Sequence, residues 1–305
     1  MHLTGVISML PTPFRAGSEI DHVCLARVGD LALAAGAQGV TLLGSAGEAS
    51  RLTERERLAV VETIVGHLAG RAAIIVDTSA DGVRVCVELS RQVKAIGATA
   101  VMISPPRAQR LGSESIVNHY RAVAEAVDLP IVVQDAPAQC GTTMDTGLLV
   151  RIAREVPAAR TIKLADPPTP LKIARILAAA GETRIHVIGG QGGLFLIEDL
   201  MAGAAGVMAG FAYPELLTHV VRLYRAGEID AAADLFYRFL PLMRFERQEG
   251  IGMAVRKEIL RRRGVLTDGS TRAPGLVLDE GTRAALDRLM AWTASHEAAA
   301  WMRDA

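Results

Sequence analysis

Lys163 is the residue whose position points most directly to chemistry. It ends a short apolar run, between Ile162 and Leu164, and such a run is expected to be a buried strand. Burying an ammonium group costs free energy, so burial lowers the pKa of a lysine and leaves a neutral amine that can attack a carbonyl carbon. The alternative is a lysine whose stem packs on apolar surface while its ammonium group reaches solvent at the rim. The position favours the first interpretation.

A glycine-rich loop follows an earlier apolar run. Residues 44–48 read Gly-Ser-Ala-Gly-Glu and lead into a helical segment. Loops of this kind expose backbone N–H groups that can bind an anion such as a carboxylate. An ordinary turn between a strand and a helix has the same composition, so the loop by itself does not decide between the two.

Three further strand ends carry candidate groups. Asp135 could act as a base, orient water or bind substrate, although an Asp before a proline-containing loop more often caps the turn. Arg107 could bind a carboxylate, and the alternative is an ordinary surface arginine. The run at 189–193, Gly-Gly-Gln-Gly-Gly, predicts a close approach of the backbone to a ligand or to Lys163.

Composition and spacing argue against several other kinds of site. The 7 histidines do not converge at strand ends and the 3 cysteines form no CxxC pair, so we expect no His-based triad, no metal site and no disulfide framework. The 33 basic and 33 acidic residues balance, which argues against a nucleic-acid partner. The densest basic run, 261–263, is expected at a solvated helix C-terminus. No cofactor is expected.

Short apolar runs alternate with longer amphipathic segments along most of the chain. We expect strands at 5–10, 39–43, 72–76, 98–103, 131–134, 160–163, 184–188 and 206–209. Helix starts are predicted at Asp21, at Thr53 with Glu56 as a capping box, at Ser113 and at Asp145.

Eight such units most simply close into a (β/α)8 TIM barrel, in which the carboxyl ends of the strands form the active site. An open doubly wound sheet is the alternative, but no GxGxxG motif follows the first strand. After the eighth helix, near 214–225, only helical segments follow, at 228–263 and 279–303. We therefore expect a barrel over 1–226 and a C-terminal helical extension over 227–305 that packs on it.

Taken together and in this order, these features resemble the dihydrodipicolinate synthase / N-acetylneuraminate lyase family over nearly the whole chain. The matching features are the opening Pro-Thr-Pro-Phe at 11–14, the loop at 44–48, Asp-Leu-Pro at 128–130 and Ile162-Lys163. The loop and the lysine together are specific to this family, whereas either one alone is not. The resemblance implies that Lys163 forms a Schiff base with a 2-oxo acid.

The resemblance also implies roles for other residues. Ser45 and the backbone of Ala46 would hold the carboxylate of the 2-oxo acid, and Gly189 and Gly190 would lie beside the imine. Since family members act on small molecules as oligomers, we expect a small-molecule substrate and a homo-oligomer, by resemblance a tetramer. No leader sequence precedes the first strand and no apolar run is long enough to span a membrane, so we expect a soluble cytoplasmic protein.

The chain departs from the family pattern in its substrate pocket. Family members usually carry a tyrosine followed by Asn at the end of strand 5, where this chain has Gln134 and Asp135. An amide does not exchange protons at useful rates, so the usual relay is absent. The family's arginine on the next loop, which grips a second carboxylate in the synthases, corresponds to Gln139. The aromatic residue that reaches a neighbouring subunit is replaced around Arg107, and the second loop hydroxyl is replaced by Ala46.

These departures leave the imine-forming lysine untouched but argue against a lysine-biosynthetic synthase. We therefore expect a lyase, either an aldolase or a dehydratase, acting on a 2-oxo acid such as a 2-keto-3-deoxy sugar acid. Lys163 would form the imine, Asp135 or a water on Ser45 would move the proton, and Gln134 and Arg107 would contact substrate. The alternatives are 4-hydroxy-tetrahydrodipicolinate synthesis from pyruvate and aspartate semialdehyde, and a catalytically inactive barrel that binds a 2-oxo acid.

Overall fold

Eight parallel strands close into a barrel in the order of the sequence, with the first strand paired to both the second and the eighth. The computed structural model describes residues 3–16, 18–107 and 111–295. The strands are β1 Gly5–Met9, β2 Gly39–Leu42, β3 Ala73–Asp77, β4 Ala100–Ile103, β5 Ile131–Asp135, β6 Thr161–Leu164, β7 His186–Gly189 and β8 Gly206–Ala209. The predicted (β/α)8 barrel is confirmed.

The strand ends differ from the predicted ones by one or two residues, and two of these differences matter for the site. β3 continues to Asp77, which pairs with Met102, and β5 continues to Asp135, which pairs with Leu164. Pairing with a neighbouring strand sets where a strand ends, and the apolar run alone does not contain that information.

Helices follow the strands and surround the barrel. They are α1 His22–Ala34, α2 Glu54–Leu68, α3 Val83–Ile96, α4 Ser113–Val127, α5 Pro137–Cys140, α6 Thr146–Glu155, α7 Thr169–Ala180, α8 Leu196–Met201, α9 Pro214–Arg225, α10 Ile229–Glu246, α11 Gly252–Arg262 and α12 Glu280–Ala294. Within the described ranges, no helix is both long enough and apolar enough to cross a lipid bilayer.

Three of the predicted helix starts are confirmed. The side chains of Asp21 and Asp145 accept hydrogen bonds from the first turns of α1 and α6, and Thr53 forms a complete capping box with Glu56 at α2. Ser113 is instead the first residue inside α4, and the N-cap position belongs to Gly112, which offers no side chain.

Side chains on the strands alternate between two apolar cores. Residues that face into the barrel, such as Ile75, Met102 and Val132, form one cluster. Those that face out, such as Ile162 and Leu164, pack against the helices in a second and larger cluster. This two-residue period decides which polar residue at each strand end lies above the inner cluster.

The C-terminal extension consists of α10, α11 and α12. The apolar side chains of α10 pack within the chain. Five of them are buried, Leu235, Phe236, Phe239, Leu242 and Met243, and Leu240 packs against the same core. These positions are therefore not available as a subunit interface. Of the arginines expected at a solvated helix end, Arg261 is exposed, whereas Arg263 is nearly buried and paired with Glu215. The division of the chain at 226/227 stays a prediction, and Arg303 lies outside the described residues.

Candidate active site

The inner faces of four neighbouring strands end in polar residues. Gln134 and Lys163 lie side by side on β5 and β6, two residues beyond Val132 and Thr161. By the same two-residue period, Asp77 follows Ile75 on β3 and Ser104 follows Met102 at the end of β4. The carboxyl end of the barrel therefore gathers a carboxylate, a hydroxyl, an amide and an amine.

Lys163 is the amine of this group, and it is almost fully buried, with 4% of its surface exposed. Its Nζ donates a hydrogen bond to Gln134 Oε1 at 2.9 Å. Burial lowers the pKa of Lys163 to about 8; the negative charge of Asp77 opposes this shift and the positive charge of Arg247 adds to it. An amine with this pKa is about one-tenth neutral at pH 7, whereas one with a pKa of 10.5 is neutral in roughly one molecule in 3,000.

Gln134 connects the amine to Ser104 at the end of the neighbouring strand β4. Its Nε2 donates to Ser104 Oγ at 2.9 Å and makes a longer contact, 3.5 Å, with Gln139 Oε1. The two ends of the amide thus hold its orientation, with the oxygen toward Lys163 and the nitrogen toward Ser104. Gln134 positions its neighbours but cannot carry a proton between them.

Asp77 is a functional candidate that the sequence reasoning missed. Its Oδ1 accepts hydrogen bonds from Ser79 N at 3.0 Å and Ser79 Oγ at 2.5 Å, and Ser79 Oγ in turn accepts from Ser104 N at 2.8 Å. Burial raises the pKa of Asp77, while the hydrogen bonds from Ser79 and the charges of Lys163 and Arg57 lower it. The signal was present in the sequence, because alternation from Ala73 and Ile75 points Asp77 inward once the strand is extended by one residue.

Asp135 does not lie beside Lys163. It occupies the outward register of β5, opposite Leu164, and its fully buried carboxylate binds Lys172 of α7, Nζ to Oδ2, at 2.6 Å. Lys172 also binds Asp166 at 2.8 Å. Burial raises the pKa of Asp135 to about 6, against the opposing hydrogen bond and charge of Lys172. The catalytic role predicted for Asp135 loses its geometric basis, because consecutive strand residues face opposite sides of the sheet.

The loop after β2 has an unusual backbone. Residues 45–47 form a single 3₁₀ turn flanked by positive φ values at Leu43 (62°) and Glu48 (53°), which side-chain-bearing residues rarely adopt. Within the described ranges the amides of Ser45 and Ala46 donate no hydrogen bond, since the turn begins with Gly47 N donating to Gly44 O. Ser45 is exposed, and Ala46 is buried against the inner cluster.

A buried ion pair ties this loop to the C-terminal extension. Lys257 of α11 has no exposed surface, and its Nζ lies 2.5 Å from Glu48 Oε1. Glu48 also binds the side chain of Arg51 at 2.7 Å and the backbone N–H of Arg272 at 3.1 Å. Burial lowers the pKa of Lys257 to about 8, although the Glu48 carboxylate opposes the shift. The extension thus helps to fix the conformation of residues 44–48.

Gly189 ends β7 and Gly190 follows it, and the absence of side chains at both makes room for protein atoms rather than for the side chain of Lys163. A Cβ on Gly189 would lie 2.5 Å from Asp199 Oδ2, and one on Gly190 would lie 2.7 Å from Leu164 O. Gly190 N donates to that same carbonyl at 2.7 Å. The predicted close approach of backbone is therefore to the end of β6 and to Asp199, a buried carboxylic acid whose pKa burial raises to about 7.

Arg107 and Gln139 lie at the mouth of a cleft above these residues. Both side chains are exposed, and the backbone N–H of Arg107 donates to Asp81 Oδ1 at 2.8 Å. The cleft has a volume of about 290 Å³. Much of its wall is polar, including Ser45, Ser50, Asp77, Ser79, Ser104 and Gln134. It can therefore take a small hydroxylated molecule in contact with Gln134 and Asp77.

Comparison with known proteins agrees with this geometry. The model of the dihydrodipicolinate synthetase family matches residues 2–292. The chain belongs to this family. It is 32% identical over 285 residues to L-2-keto-3-deoxyarabonate dehydratase of Azospirillum brasilense, covering 92% of each protein. It is 30% identical over 239 residues to 4-hydroxy-tetrahydrodipicolinate synthase of Pelobacter propionicus, covering 77% of this chain and 80% of the relative.

Among solved structures, the crystal structure of dihydrodipicolinate synthase from Rhodopseudomonas palustris matches with a TM-score of 0.90 and 34% identity, covering 95% of this chain and 97% of that one. The relatives of this family member therefore include both a dehydratase and synthases. The names of these relatives identify the family, but they do not show whether this chain catalyses dehydration or synthesis.

Proposed function

We propose that the protein is a Schiff-base lyase, an aldolase or a dehydratase, acting on a 2-oxo acid such as a 2-keto-3-deoxy sugar acid. The observation that carries the proposal is the amine of Lys163, buried at the carboxyl end of the barrel and bonded to a neutral amide instead of a carboxylate. Such an amine is partly neutral near pH 7 and can attack the C2 carbonyl of the substrate.

The other lysines of the chain are unsuited to this role, which strengthens the assignment. The chain has only four, of which Lys172 and Lys257 are held in ion pairs with carboxylates. Lys94 is exposed on α3, where its ammonium group donates to Val127 O. Lys163 is the lysine that combines burial with the lack of an anionic partner among the described residues.

Once the imine forms, its protonated nitrogen withdraws electrons from C3. Dehydration then needs a base that removes a proton from C3 and an acid that helps the C4 hydroxyl to leave as water. Aldol cleavage needs a base at the C4 hydroxyl while the C3–C4 bond breaks. We propose that Ser45 and the amide of Ala46 hold the substrate carboxylate, with Gln134 beside the imine and Arg107 at the mouth of the cleft.

A sugar-acid substrate is supported by the hydroxyl-rich wall of the cleft and by the similarity to a 2-keto-3-deoxyarabonate dehydratase. The second candidate, 4-hydroxy-tetrahydrodipicolinate synthesis, is favoured by the 34% identity to the Rhodopseudomonas palustris synthase. Two residues argue against it. Gln134 stands in place of a phenol that relays protons, and Gln139 stands in place of a guanidinium that binds a second carboxylate.

The imine is tested by reduction with borohydride in the presence of pyruvate, followed by intact-mass and peptide mass spectrometry. We expect one reduced three-carbon adduct, located on Lys163 and lost in Lys163→Ala. Lys94→Ala, which removes an exposed lysine, is the matched control and keeps the adduct. An unmodified wild-type protein, or an adduct that survives in Lys163→Ala, would overturn the proposal.

Turnover is then tested with 2-keto-3-deoxy sugar acids, with N-acetylneuraminate, and with pyruvate plus aspartate semialdehyde. Water loss or cleavage of a sugar acid supports the proposed lyase. Efficient condensation with aspartate semialdehyde supports the synthase instead, and trapping without any turnover supports an inactive barrel that binds 2-oxo acids.

We also propose that the protein is a homo-oligomer, by family resemblance a tetramer, working in the cytoplasm. Support for the assembly comes from apolar side chains on the described surface, among them Phe195, Met201 and Tyr237. A monomeric mass by light scattering at micromolar concentration would contradict it.

A further inference from the structure

The site described above has an imine-forming amine but no assigned proton carrier. The amide of Gln134 does not exchange protons at useful rates, and Asp135 faces away from the barrel interior. Both reactions of the proposed lyase nevertheless move a proton at C3 or at the C4 hydroxyl. Some other titratable group must therefore face the cleft.

Asp77 has the geometry for this task. Its Oδ1 is fixed by two hydrogen bonds from Ser79, whereas its Oδ2 has no hydrogen-bond partner within the part of the chain that the structure describes. Asp77 lines the same cleft as Ser45 and Gln134. A Cβ built on Gly44 would lie 3.7 Å from Oδ2, so this oxygen borders the loop proposed to hold the substrate carboxylate.

A continuous chain of hydrogen bonds runs from Asp77, which lines the cleft, through other lining residues to the amine of Lys163. Lys163 binds Gln134, Gln134 binds Ser104, the backbone of Ser104 binds Ser79, and Ser79 binds Asp77. The chain fixes the two reactive groups relative to each other. It does not pass a proton, because an amide side chain and a backbone amide interrupt it.

We propose that Asp77 is the catalytic acid–base residue of the site and transfers the proton at C3, next to the imine carbon, or at the C4 hydroxyl. The proposal rests on the Schiff-base function of Lys163. Asp77 stands on a different strand from the position of the usual relay tyrosine, three strands from the lysine around the barrel.

In dehydration, Oδ2 of Asp77 takes a proton from C3 of the protonated imine, and the C3–H electrons form the enamine. The enamine then expels the C4 hydroxyl, to which Asp77 returns the proton, so that water leaves and a C3–C4 double bond forms. In aldol cleavage Asp77 takes the C4 hydroxyl proton as the C3–C4 bond breaks and returns it to C3 of the resulting enamine. In either case the carboxylate is regenerated, and hydrolysis of the imine frees the product.

The test uses pyruvate, so it does not depend on knowing the natural substrate. An imine of pyruvate exchanges its C3 hydrogens with solvent through the enamine, and this exchange needs a base at C3. Wild-type protein in D₂O should therefore incorporate deuterium into the methyl group, as followed by NMR. In Asp77→Asn, which keeps the shape and can still accept the Ser79 hydrogen bonds, exchange should fall on the order of 10²–10⁴-fold.

Borohydride trapping on Lys163 in the same samples separates this proposal from the previous one and also reports folding. Asp77→Asn should still be trapped, and Asp135→Asn, the matched carboxylate on the outer face, should keep both trapping and exchange. If Asp77→Asn does not fold, Ser79→Ala, which releases Oδ1, serves as the second variant and should lower exchange but not trapping. If the wild-type protein is not trapped, the Schiff base is refuted. If Asp77→Asn is trapped but exchanges at the wild-type rate, the role of Asp77 is refuted. The same result for Ser79→Ala refutes it where Asp77→Asn does not fold.

Discussion

Replacing Gln134 with glutamate should raise the pKa of Lys163 and slow imine formation at neutral pH. The substitution places a carboxylate oxygen where Gln134 Oε1 now lies, 2.9 Å from Nζ. The amine currently titrates with a pKa of about 8, because burial disfavours its charged form and no carboxylate binds it directly. Gln134→Glu supplies a carboxylate that binds the amine directly, and it keeps the size of the side chain.

The expected shift follows from the distance. Two unit charges 2.9 Å apart attract by roughly 6 kcal/mol at an effective dielectric constant near 20, and part of this offsets the cost of burying the new carboxylate. Opposite charges at such distances typically move a pKa by about 1–3. The neutral fraction of Lys163 at pH 7 should then fall about 10- to 1,000-fold, and the rate of imine formation should fall with it.

The assay is the rate of imine formation: protein is mixed with sub-saturating pyruvate, quenched with excess borohydride after increasing times, and the modified fraction is determined by intact mass across the pH range that brackets the wild-type midpoint of about 8. The sign is fixed, since the neutral amine is the nucleophile: the rate rises with pH through the pKa of Lys163 and then levels off. Gln134→Met is the matched control, because it removes the hydrogen bonds without adding charge, and its midpoint should not rise. Coincident midpoints in wild type and Gln134→Glu, or a wild-type midpoint near 10.5, would refute the reasoning.

Two further predictions concern the buried ion pairs around the site. Asp135→Asn should lower the free energy of unfolding by about 1–3 kcal/mol in denaturant titrations, because Lys172 loses one of its two carboxylate partners and keeps Asp166, while turnover per folded protein stays within a few fold; a large loss of turnover would return Asp135 to the mechanism. Lys257→Met leaves the charge of Glu48 buried, so it should cost a similar free energy of unfolding and raise the pyruvate concentration for half-maximal trapping. The double variant Glu48→Gln/Lys257→Met should have a higher free energy of unfolding than Lys257→Met. A double variant that is no more stable than Lys257→Met contradicts the pairing.

The sequence was sufficient for the barrel because strands buried on both faces appear as continuous runs of branched apolar residues. Lys163 and residues 44–48 were also singled out, since Lys163 lies within such a run and the loop follows another, and their roles stay predictions. Strand ends were less certain, and the error of one residue at β3 hid Asp77. A polar residue that closes a strand is easily assigned to the following loop, because no apolar residue after it marks the end of the pairing.

The placement of Asp135 beside Lys163 was expected for a different reason. Periodicity shows that Gln134 and Asp135 face opposite sides of the sheet, but it does not show which one faces inward. The register between strands decides this, by pairing Gln134 with Lys163. The Glu48–Lys257 pair was also out of reach, because its partners are distant in sequence and no local pattern connects the two segments.

The charges of Asp77 and Lys163 also explain how one carboxylate could serve both before and after the imine forms. In the free site burial raises the pKa of Asp77, and the amine, partly neutral, offsets this only in part. A protonated imine carries its positive charge for as long as the intermediate lasts, and a nearby positive charge favours the carboxylate form. The free amine is about nine-tenths charged at pH 7, so imine formation maintains this charge near Asp77, and Asp77 remains a base when C3 becomes acidic. When the enamine forms and the nitrogen becomes neutral, this stabilisation is lost, so the protonated Asp77 becomes the acid that the departing hydroxyl requires.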